Sequence, residues 1–501
     1  MTSQTVTPQT VTPQNATSQG SVDESAPRGF VYGMAVTGAA TVRALLRRGY
    51  VVVAADDDVT PAKRETASSL GIELLETPDD VRLRELVTTS DVVSPAPGIP
   101  ETHRLFSIAA DEGVELVSEI ELAYRWEQER PGGPRPMLAV TGTDGKTTTT
   151  LMAATMLRAG GLTTIDAGNT ETPLVDAVDD DRYDAFVVEC ASFRLACTPT
   201  FRADAAVWLN LAPDHLNWHR SMDSYVDAKF QIWANQRDGD TAIAYAADEV
   251  VMGRLADAPA ERRTFGTPDA DYRLDGEVLV GPMGPIARRS EMRRSLPHDV
   301  TNALAAAALV LESGLVDVNA VATALRDFVG PPHRLEHVGT WNDVAWFNDS
   351  KATTPHAAAV AIAAFERIVL IAGGKDKHVD LAEMAVDADR VDVVIAIGQT
   401  ADQIARAFES VDRVERRSTL TEATRLAAEI VQTGQTVLLS PGCASLDQYP
   451  SFEARGDEFR TLVLTLHGSS GPAPRTSTGA PSRTSSDTSA GTSSTIEHGA
   501  R

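Results

Sequence analysis

The run Val140-Thr141-Gly142-Thr143-Asp144-Gly145-Lys146-Thr147-Thr148-Thr149 constrains this chain more than any other stretch. The apolar segment Met137-Leu138-Ala139-Val140 precedes it and reads as a buried strand, while residues 151–157 read as a helix. Strand, glycine turn and helix start make the geometry of a phosphate cradle. Gly142 and Gly145 can take backbone angles closed to other residues, so successive N–H groups of the loop, from Gly142 through Thr143 and Asp144 to Thr148, can turn inward on phosphate oxygens. The helix N-terminus adds free donors and a partial positive charge. Lys146 supplies a full charge for the outer phosphates, and the Thr147 hydroxyl is placed to ligate magnesium. The spacing is Gly-x-x-Gly-Lys-Thr, shorter than the common P-loop, whose first glycine would fall at Val140. The alternative is a Gly-rich strand–helix turn with a solvated lysine.

The rest of the composition narrows the class. A chain of 501 residues has room for roughly two to four domains. Its formal net charge of −25 argues against a nucleic-acid or anionic-membrane partner and leaves anionic small substrates to local lysines and arginines. The cysteines Cys190, Cys197 and Cys443 are odd in number and lack metal or redox spacing, which fits reduced thiols in a cytoplasmic protein. No apolar run reaches the length of a membrane span, and the N-terminus lacks the basic start and apolar core of a secretion signal. Residues 1–28, with Thr-Val-Thr-Pro-Gln repeated at 5–9 and 10–14, and residues 468–501 are rich in Ser, Thr, Gly and Pro and are expected to be disordered.

Three α/β domains are expected between these tails, at residues 29–131, 132–332 and 333–467. In the first, residues 30–38 start as strand and then turn, 41–48 form a helix, and 50–55 form a strand ending in Asp56-Asp57-Asp58. That order is Rossmann-like, but the glycines are only Gly33 and Gly38, so nucleotide binding and plain βαβ packing both remain open. A further strand at 91–93 runs into the rigid loop Ser94-Pro95-Ala96-Pro97-Gly98-Ile99-Pro100. The breaker cluster Pro131-Gly132-Gly133-Pro134 marks the next boundary. In the central domain, strand 184–189 ends in Glu189, an acid able to hold magnesium or orient its water. Strand 205–211 leads to His215, which read alone is structural or functional. Lys229 lies in an amphipathic helix at 225–233 and, read alone, is a snorkelling surface lysine. Residues 238–297 give a broken pattern with short strands such as 277–280. Thr301 is a candidate cap for the helical stretch that begins there. From His333 on, strands at 344–349, 368–372, 391–397 and 437–440 alternate with helices at 401–408 and 421–431, which predicts a parallel, doubly wound sheet.

Taken together, these residues resemble the Mur ligases. The matching pieces are Thr-Gly-Thr-Asp-Gly-Lys-Thr at 141–147, Glu-Cys-Ala-Ser-Phe at 189–193 and Asn-Leu-Ala-Pro-Asp-His-Leu at 210–216. Thr-Asn-Ala-Leu-Ala at 301–305, Pro-His-Arg-Leu-Glu at 332–336 and Asn-Asp-Ser-Lys-Ala-Thr at 348–353 follow. Leu-Ser-Pro-Gly-Cys-Ala-Ser-Leu-Asp-Gln-Tyr at 439–449 and Phe452-Glu453-Ala454-Arg455-Gly456 come last and resemble the members that add D-glutamate. The resemblance covers about residues 30–467. It implies a UDP-binding first domain, an ATPase middle domain and a third domain for the amino acid. It also implies roles for single residues. Glu189 matches a magnesium ligand, His215 a magnesium-binding histidine, and Lys229 a lysine that is carbamylated, with two metal ions held between Thr147 and these three. Asn302 matches an adenine contact, Arg334 a contact to the ATP phosphates and Asp349 a ribose contact. Lys351, Thr353, Lys377, Ser445 and Phe452 match the region that receives D-glutamate, and Asp56 and Asn169 match contacts to the UDP-sugar. The sequence departs from the family at Thr170-Glu171, where Ile-Gly is usual, at Thr354, where Asn is usual, and at Asp58, where some members carry a basic residue.

The implied reaction joins UDP-N-acetylmuramoyl-L-alanine to D-glutamate at the expense of ATP, through an acyl phosphate, and the expected state is a monomer. Two rivals stand beside it. One is another Mur-type or folylpolyglutamate-type ligase; the other is a nucleotide-binding module without catalysis.

Overall fold

The computed structural model describes residues 25–377 and 379–468, and they divide into two compact units between Pro332 and His333. The expected disordered tails fall mainly on residues 1–24 and 469–501, outside the described residues. Both units are α/β, with sheets built mostly of parallel strands.

The first unit holds three sheets. Strands β1 (Arg28–Tyr32), β2 (Val51–Asp56), β3 (Glu73–Glu76) and β4 (Val92–Pro95) form a parallel sheet in the order β3-β2-β1-β4. Strands β5 (Met137–Thr141), β6 (Thr164–Gly168), β7 (Ala185–Glu189), β8 (Ala205–Trp208), β9 (Thr241–Tyr245) and β10 (Glu261–Phe265) form the parallel central sheet, ordered β10-β9-β8-β5-β7-β6. A small antiparallel sheet joins β11 (Arg273–Asp275), β12 (Val278–Gly281) and β13 (Gly284–Arg288). All five residues of β5 are buried, as a central strand covered on both faces requires. On one face the helix Lys146–Ala159 packs Met152, Met156 and Leu157 against Ala303, Ala307 and Val310 of the helix Pro297–Glu312. On the other, Phe186, Trp208 and Trp233 fill the core.

Several expectations are corrected here. The first helix is Val36–Arg47, beginning five residues earlier than the apolar pattern indicated, because its opening turn presents the exposed Val36 rather than a core residue. The stretch 238–297 supplies β9 and β10 to the central sheet, and the short buried strand β9 had no period to reveal it. Thr301 does not cap its helix. Pro297 occupies the first turn with a preset φ, which places Thr301 one turn inside, its hydroxyl donating to Pro297 O at 3.2 Å.

The second unit contains β14 (Glu336–Trp341), β15 (Val344–Asn348), β16 (Ile368–Gly373), β17 (Val391–Ile397), β18 (Val414–Arg416) and β19 (Thr436–Leu439), ordered β14-β15-β19-β16-β17-β18. The sheet is not wholly parallel, because β14 and β15 form an antiparallel hairpin. Asn342 and Asp343 turn it with φ of 52° and 60°, the left-handed angles a two-residue hairpin needs. No helix among the described residues is long and apolar enough to cross a membrane. Cys190, Cys197 and Cys443 are free and buried, and burial pushes the Cys197 thiol up to about 12.

Arg135 ties the start of the central sheet to the helix Glu119–Gln128. Its guanidinium donates to Glu127 Oε1 at 2.8 Å and Oε2 at 2.7 Å, and to the carbonyls of Asp180 and Val178 at 2.7 Å each. Glu127 is 2% exposed, so removing its partner strands a buried carboxylate. Arg135→Met is expected to lower unfolding stability of this unit by about 3–5 kcal/mol in denaturant titration. A loss below about 1 kcal/mol, the range of exposed pairs, would show that the pair is incidental.

Candidate active site

The phosphate loop sits where β5 meets its helix, at the C-terminal edge of the central sheet. Gly142 has φ 156° and Gly145 φ 81°, and no room is left for a side chain at either. A Cβ on Gly142 would lie 2.9 Å from Leu209 Cβ, and one on Gly145 would lie 2.7 Å from Asn302 Oδ1. Asn302, on the helix Pro297–Glu312, therefore borders the loop directly. Lys146 Nζ lies over the loop and donates to Gly142 O at 2.9 Å and Thr143 O at 2.7 Å. Asn210, just beyond β8, latches the loop from the side. Its Oδ1 accepts the N–H groups of Thr143 and Asp144 at 2.9 Å each, and its Nδ2 donates to Asp144 O at 3.2 Å. The Thr143 hydroxyl lies 3.0 Å from the buried Tyr225 OH. Such a loop, sealed against side chains and ending on a helix N-terminus, fits a nucleotide's phosphates.

Lys229 corrects the reading of a surface lysine. It is 1% exposed, on the helix Met222–Ala234, and its Nζ donates to Gly142 O at 2.6 Å. Tyr225, Val226, Ile232 and Trp233 lie three or four residues away on the same buried face, which carries Lys229 inward. Burial, with the charge of Lys146 added, holds its ammonium well below the usual lysine range. Two lysines thus converge on one carbonyl.

Glu189 ends β7, beside β5, and pairs in register with Val140. It is 2% exposed; Oε1 accepts Asn169 Nδ2 at 2.8 Å, while Oε2 is buried with no hydrogen-bond partner. A buried carboxylate oxygen left without a donor fits a cation, so Glu189 suits magnesium. His215 lies on the loop between β8 and the Lys229 helix, with φ 53°, and its ring meets Phe193 edge-on at 5.3 Å. Burial lowers its pKa; Asp214 opposes that, while Lys146 and Lys229 add to it. A neutral imidazole is the form that ligates metals. Among the described residues no three His, Cys, Asp or Glu side chains cluster as a metal site. The expected set draws instead on the Thr147 hydroxyl and on Lys229.

Asp56, at the end of β2, ties three neighbouring segments together: the turn after β1, its own turn and the helix Pro61–Leu70. Oδ2 accepts Met34 N–H at 2.6 Å, and Oδ1 accepts Asp58 N–H at 2.9 Å and Lys63 Nζ at 2.8 Å. Burial alone would raise its pKa, but these donors outweigh it and hold the carboxyl low.

In the second unit the remaining candidates gather where β15, β19 and β16 end. Asp349 Oδ1 accepts Leu335 N–H at 3.1 Å and Oδ2 accepts the Ser440 hydroxyl at 2.8 Å, which brings the Arg334 segment to the same edge. Lys351 Nζ stands 4.0 Å from the centre of the Phe452 ring, and Lys377 Nζ donates to Thr353 O at 3.2 Å. Ser445 is buried beside Ala444, whose carbonyl accepts Lys375 N–H at 2.8 Å. Arg455, 1% exposed, fixes this edge by donating to Ser350 Oγ and O at 2.9 Å each and to Cys443 O at 3.1 Å; burial lowers its pKa to about 10.

Comparison with known proteins bears on both units. Residues 140–310 match the Mur ligase middle domain, and residues 333–443 match the Mur ligase glutamate ligase domain. The UDP-N-acetylmuramoylalanine–D-glutamate ligase of Frankia casuarinae is 41% identical over 457 residues, covering 87% of this chain and 94% of its own. The chain belongs to the Mur ligase family. The enzyme of the same name from Thermobifida fusca is 36% identical, covering 87% of this chain and 98% of its own. Solved Mur ligases share the fold: MurF of Thermotoga maritima in complex with ADP has a TM-score of 0.53 at 14% identity, covering 88% of this chain and 96% of that one. UDP-N-acetylmuramate-alanine ligase MurC of the same organism has a TM-score of 0.51 at 19% identity, over 88% and 99%.

Within this Mur ligase, sequence reasoning passed over Asn210, Tyr225, Ser440 and Arg455 as working residues. Asn210 opens one of the motifs quoted above, and only the fold reveals that its amide spans the phosphate loop. Asn210→Ala removes three hydrogen bonds to the loop and is expected to weaken ADP binding about tenfold, measured by calorimetric titration, at about 1 kcal/mol per bond with partial replacement by water. Binding unchanged within twofold would contradict the latch.

Proposed function

We propose that this chain catalyses the ATP-dependent ligation of D-glutamate to UDP-N-acetylmuramoyl-L-alanine, yielding ADP and phosphate, in peptidoglycan precursor synthesis. The observation that carries the chemistry is the convergence of Lys146 and Lys229 on Gly142 O, together with the buried unpartnered oxygen of Glu189 at the end of the neighbouring strand. The name shared by relatives at 33–41% identity over nearly their whole length carries the choice of substrates.

A carboxylate is a poor acyl donor because its leaving group would be oxide. Attack of the alanyl carboxylate oxygen on the γ-phosphorus releases ADP and makes an acyl phosphate. The D-glutamate amine then attacks the acyl carbon, the C–O bond to phosphate breaks, and the amine proton leaves to solvent or a base. Transfer of this kind needs charge neutralisation and in-line positioning more than a protein nucleophile. Lys146 neutralises the transferring group from the loop, and Arg334 matches the family's contact to the ATP phosphates. Magnesium, when bound, supplies further neutralisation of the phosphates and would be held by Thr147 with Glu189 and by His215 with a carbamylated Lys229. The Gly142–Thr148 loop takes the ATP phosphates and Asn302 the adenine, while Asp349 matches the family's ribose contact. Asn169 and Asp56 match the family's contacts to the UDP-sugar. Lys351, Thr353, Lys377, Ser445 and Phe452 receive D-glutamate. The nucleotide substrates suit a cytoplasmic enzyme acting as a monomer.

The test is phosphate release from ATP with UDP-N-acetylmuramoyl-L-alanine, offering D-glutamate, L-glutamate, L-lysine or diaminopimelate in turn. Release with D-glutamate alone is expected; release only with another amine would overturn the acceptor, and no release with any would favour a binding module. Lys146→Ala is expected to lower kcat by about 10²- to 10³-fold with the melting temperature kept, on the scale of losing one transition-state charge contact. Near-normal turnover in that variant would overturn the role of the loop.

A further inference from the structure

The loop that carries His215 does not stand alone. Its backbone oxygen accepts the N–H groups of Trp218 and His219 at 2.9 Å each, closing a tight turn. The far side of that turn is clamped between two other segments of the same unit. His219 is 2% exposed, and its two ring nitrogens are both engaged. Nδ1 lies 3.0 Å from Glu101 Oε1, on the loop after β4, and Nε2 lies 2.9 Å from Ser192 Oγ, three residues after Glu189. Because a carboxylate only accepts, Nδ1 carries the hydrogen and Nε2 accepts from the serine hydroxyl. The Glu101 loop returns the grip. Its N–H donates to Trp218 O at 3.1 Å, its Oε2 accepts Arg220 N–H at 3.1 Å, and Pro97 O accepts Trp218 Nε1 at 2.9 Å. One imidazole therefore joins the first sheet's loop, the turn of His215 and the segment that follows Glu189.

We propose that His219 is a positioning residue, which holds His215 and Glu189 in mutual register and couples that register to the loop of the first sheet through Glu101. The proposal rests on the ligase reading for its substrates, but its geometry concerns only side chains of this chain. The coupling is mutual: whatever orders the Glu101 loop tightens the metal-binding pair, and a bound cation tightens the loop. His219 itself touches no reacting atom, so its effect reaches turnover only through His215 and Glu189.

The experiment titrates Mn²⁺ into the protein–ADP complex by water-proton relaxation, with no turnover required, and pairs this with steady-state kinetics. In His219→Ala, Mn²⁺ binding is expected to weaken about tenfold, the lower end of what loss of an outer-shell partner costs a metal site. The KM for D-glutamate, whose candidate residues lie in the second unit, is expected to stay within twofold. Glu101→Gln is expected to weaken Mn²⁺ binding in the wild-type background and to add nothing in the His219→Ala background. Should His219→Ala fail to fold, Ser192→Ala removes one end of the bridge with a smaller change and is expected to weaken Mn²⁺ binding at least threefold. Mn²⁺ affinity within twofold of wild type in the folded His219 or Ser192 variants, or additive effects of Glu101 and His219, would overturn the proposal. Failure of the wild-type protein to release phosphate with D-glutamate would instead overturn the ligase reading and leave the Mn²⁺ result to stand or fall separately.

Discussion

Two lysine side chains on one backbone carbonyl set the terms for the rest of this site. Lys146 and Lys229 both donate to Gly142 O, at 2.9 and 2.6 Å, and Lys229 does so from almost complete burial. A second full positive charge there is opposed first by desolvation and then by Lys146. The side chain is thereby held toward its neutral amine, the form that reacts with carbon dioxide. Addition of the amine to carbon dioxide forms an N–C bond, releases one proton and leaves an anionic carbamate. Such a conversion would turn a like-charge conflict into a complementary pair and, on the proposed function, would give His215 an acidic neighbour with which to hold a cation.

The fold brings this about through strand order. β5 lies between β7 and β8, so the residues following each strand emerge side by side. The phosphate loop follows β5, Glu189 ends β7 and Asn210 follows β8. Ligand sites in parallel sheets collect at this edge because helix N-termini and free loop donors do. The same logic orders the second unit, where Asp349, Lys375 and Ser440 follow β15, β16 and β19, three neighbours in their sheet.

What the sequence made legible was local. The phosphate loop could be read because strand, glycines, lysine and helix occupy adjacent positions. Most strands of the second unit could be read because fully buried strands are continuous apolar runs. The environment of Lys229 could not be read from its immediate neighbours, although Tyr225, Val226, Ile232 and Trp233 at helical spacing placed it on the apolar face. Asn210 and His219 were opaque for another reason: their partners lie 66 and 118 residues away, and only tertiary contact defines their roles. The hairpin at Asn342-Asp343 was marked by two residues that tolerate left-handed angles, but alternation of strands and helices elsewhere in the unit argued for parallel pairing.

The chemistry proposed for this site turns most directly on the state of Lys229. The decisive measurement is carbon-13 NMR of the protein equilibrated with labelled bicarbonate. One carbamate resonance is expected, present in the wild-type protein and absent from Lys229→Met. A fully active protein that shows no such resonance at saturating bicarbonate would contradict it, as would an equal resonance in the Lys229→Met variant.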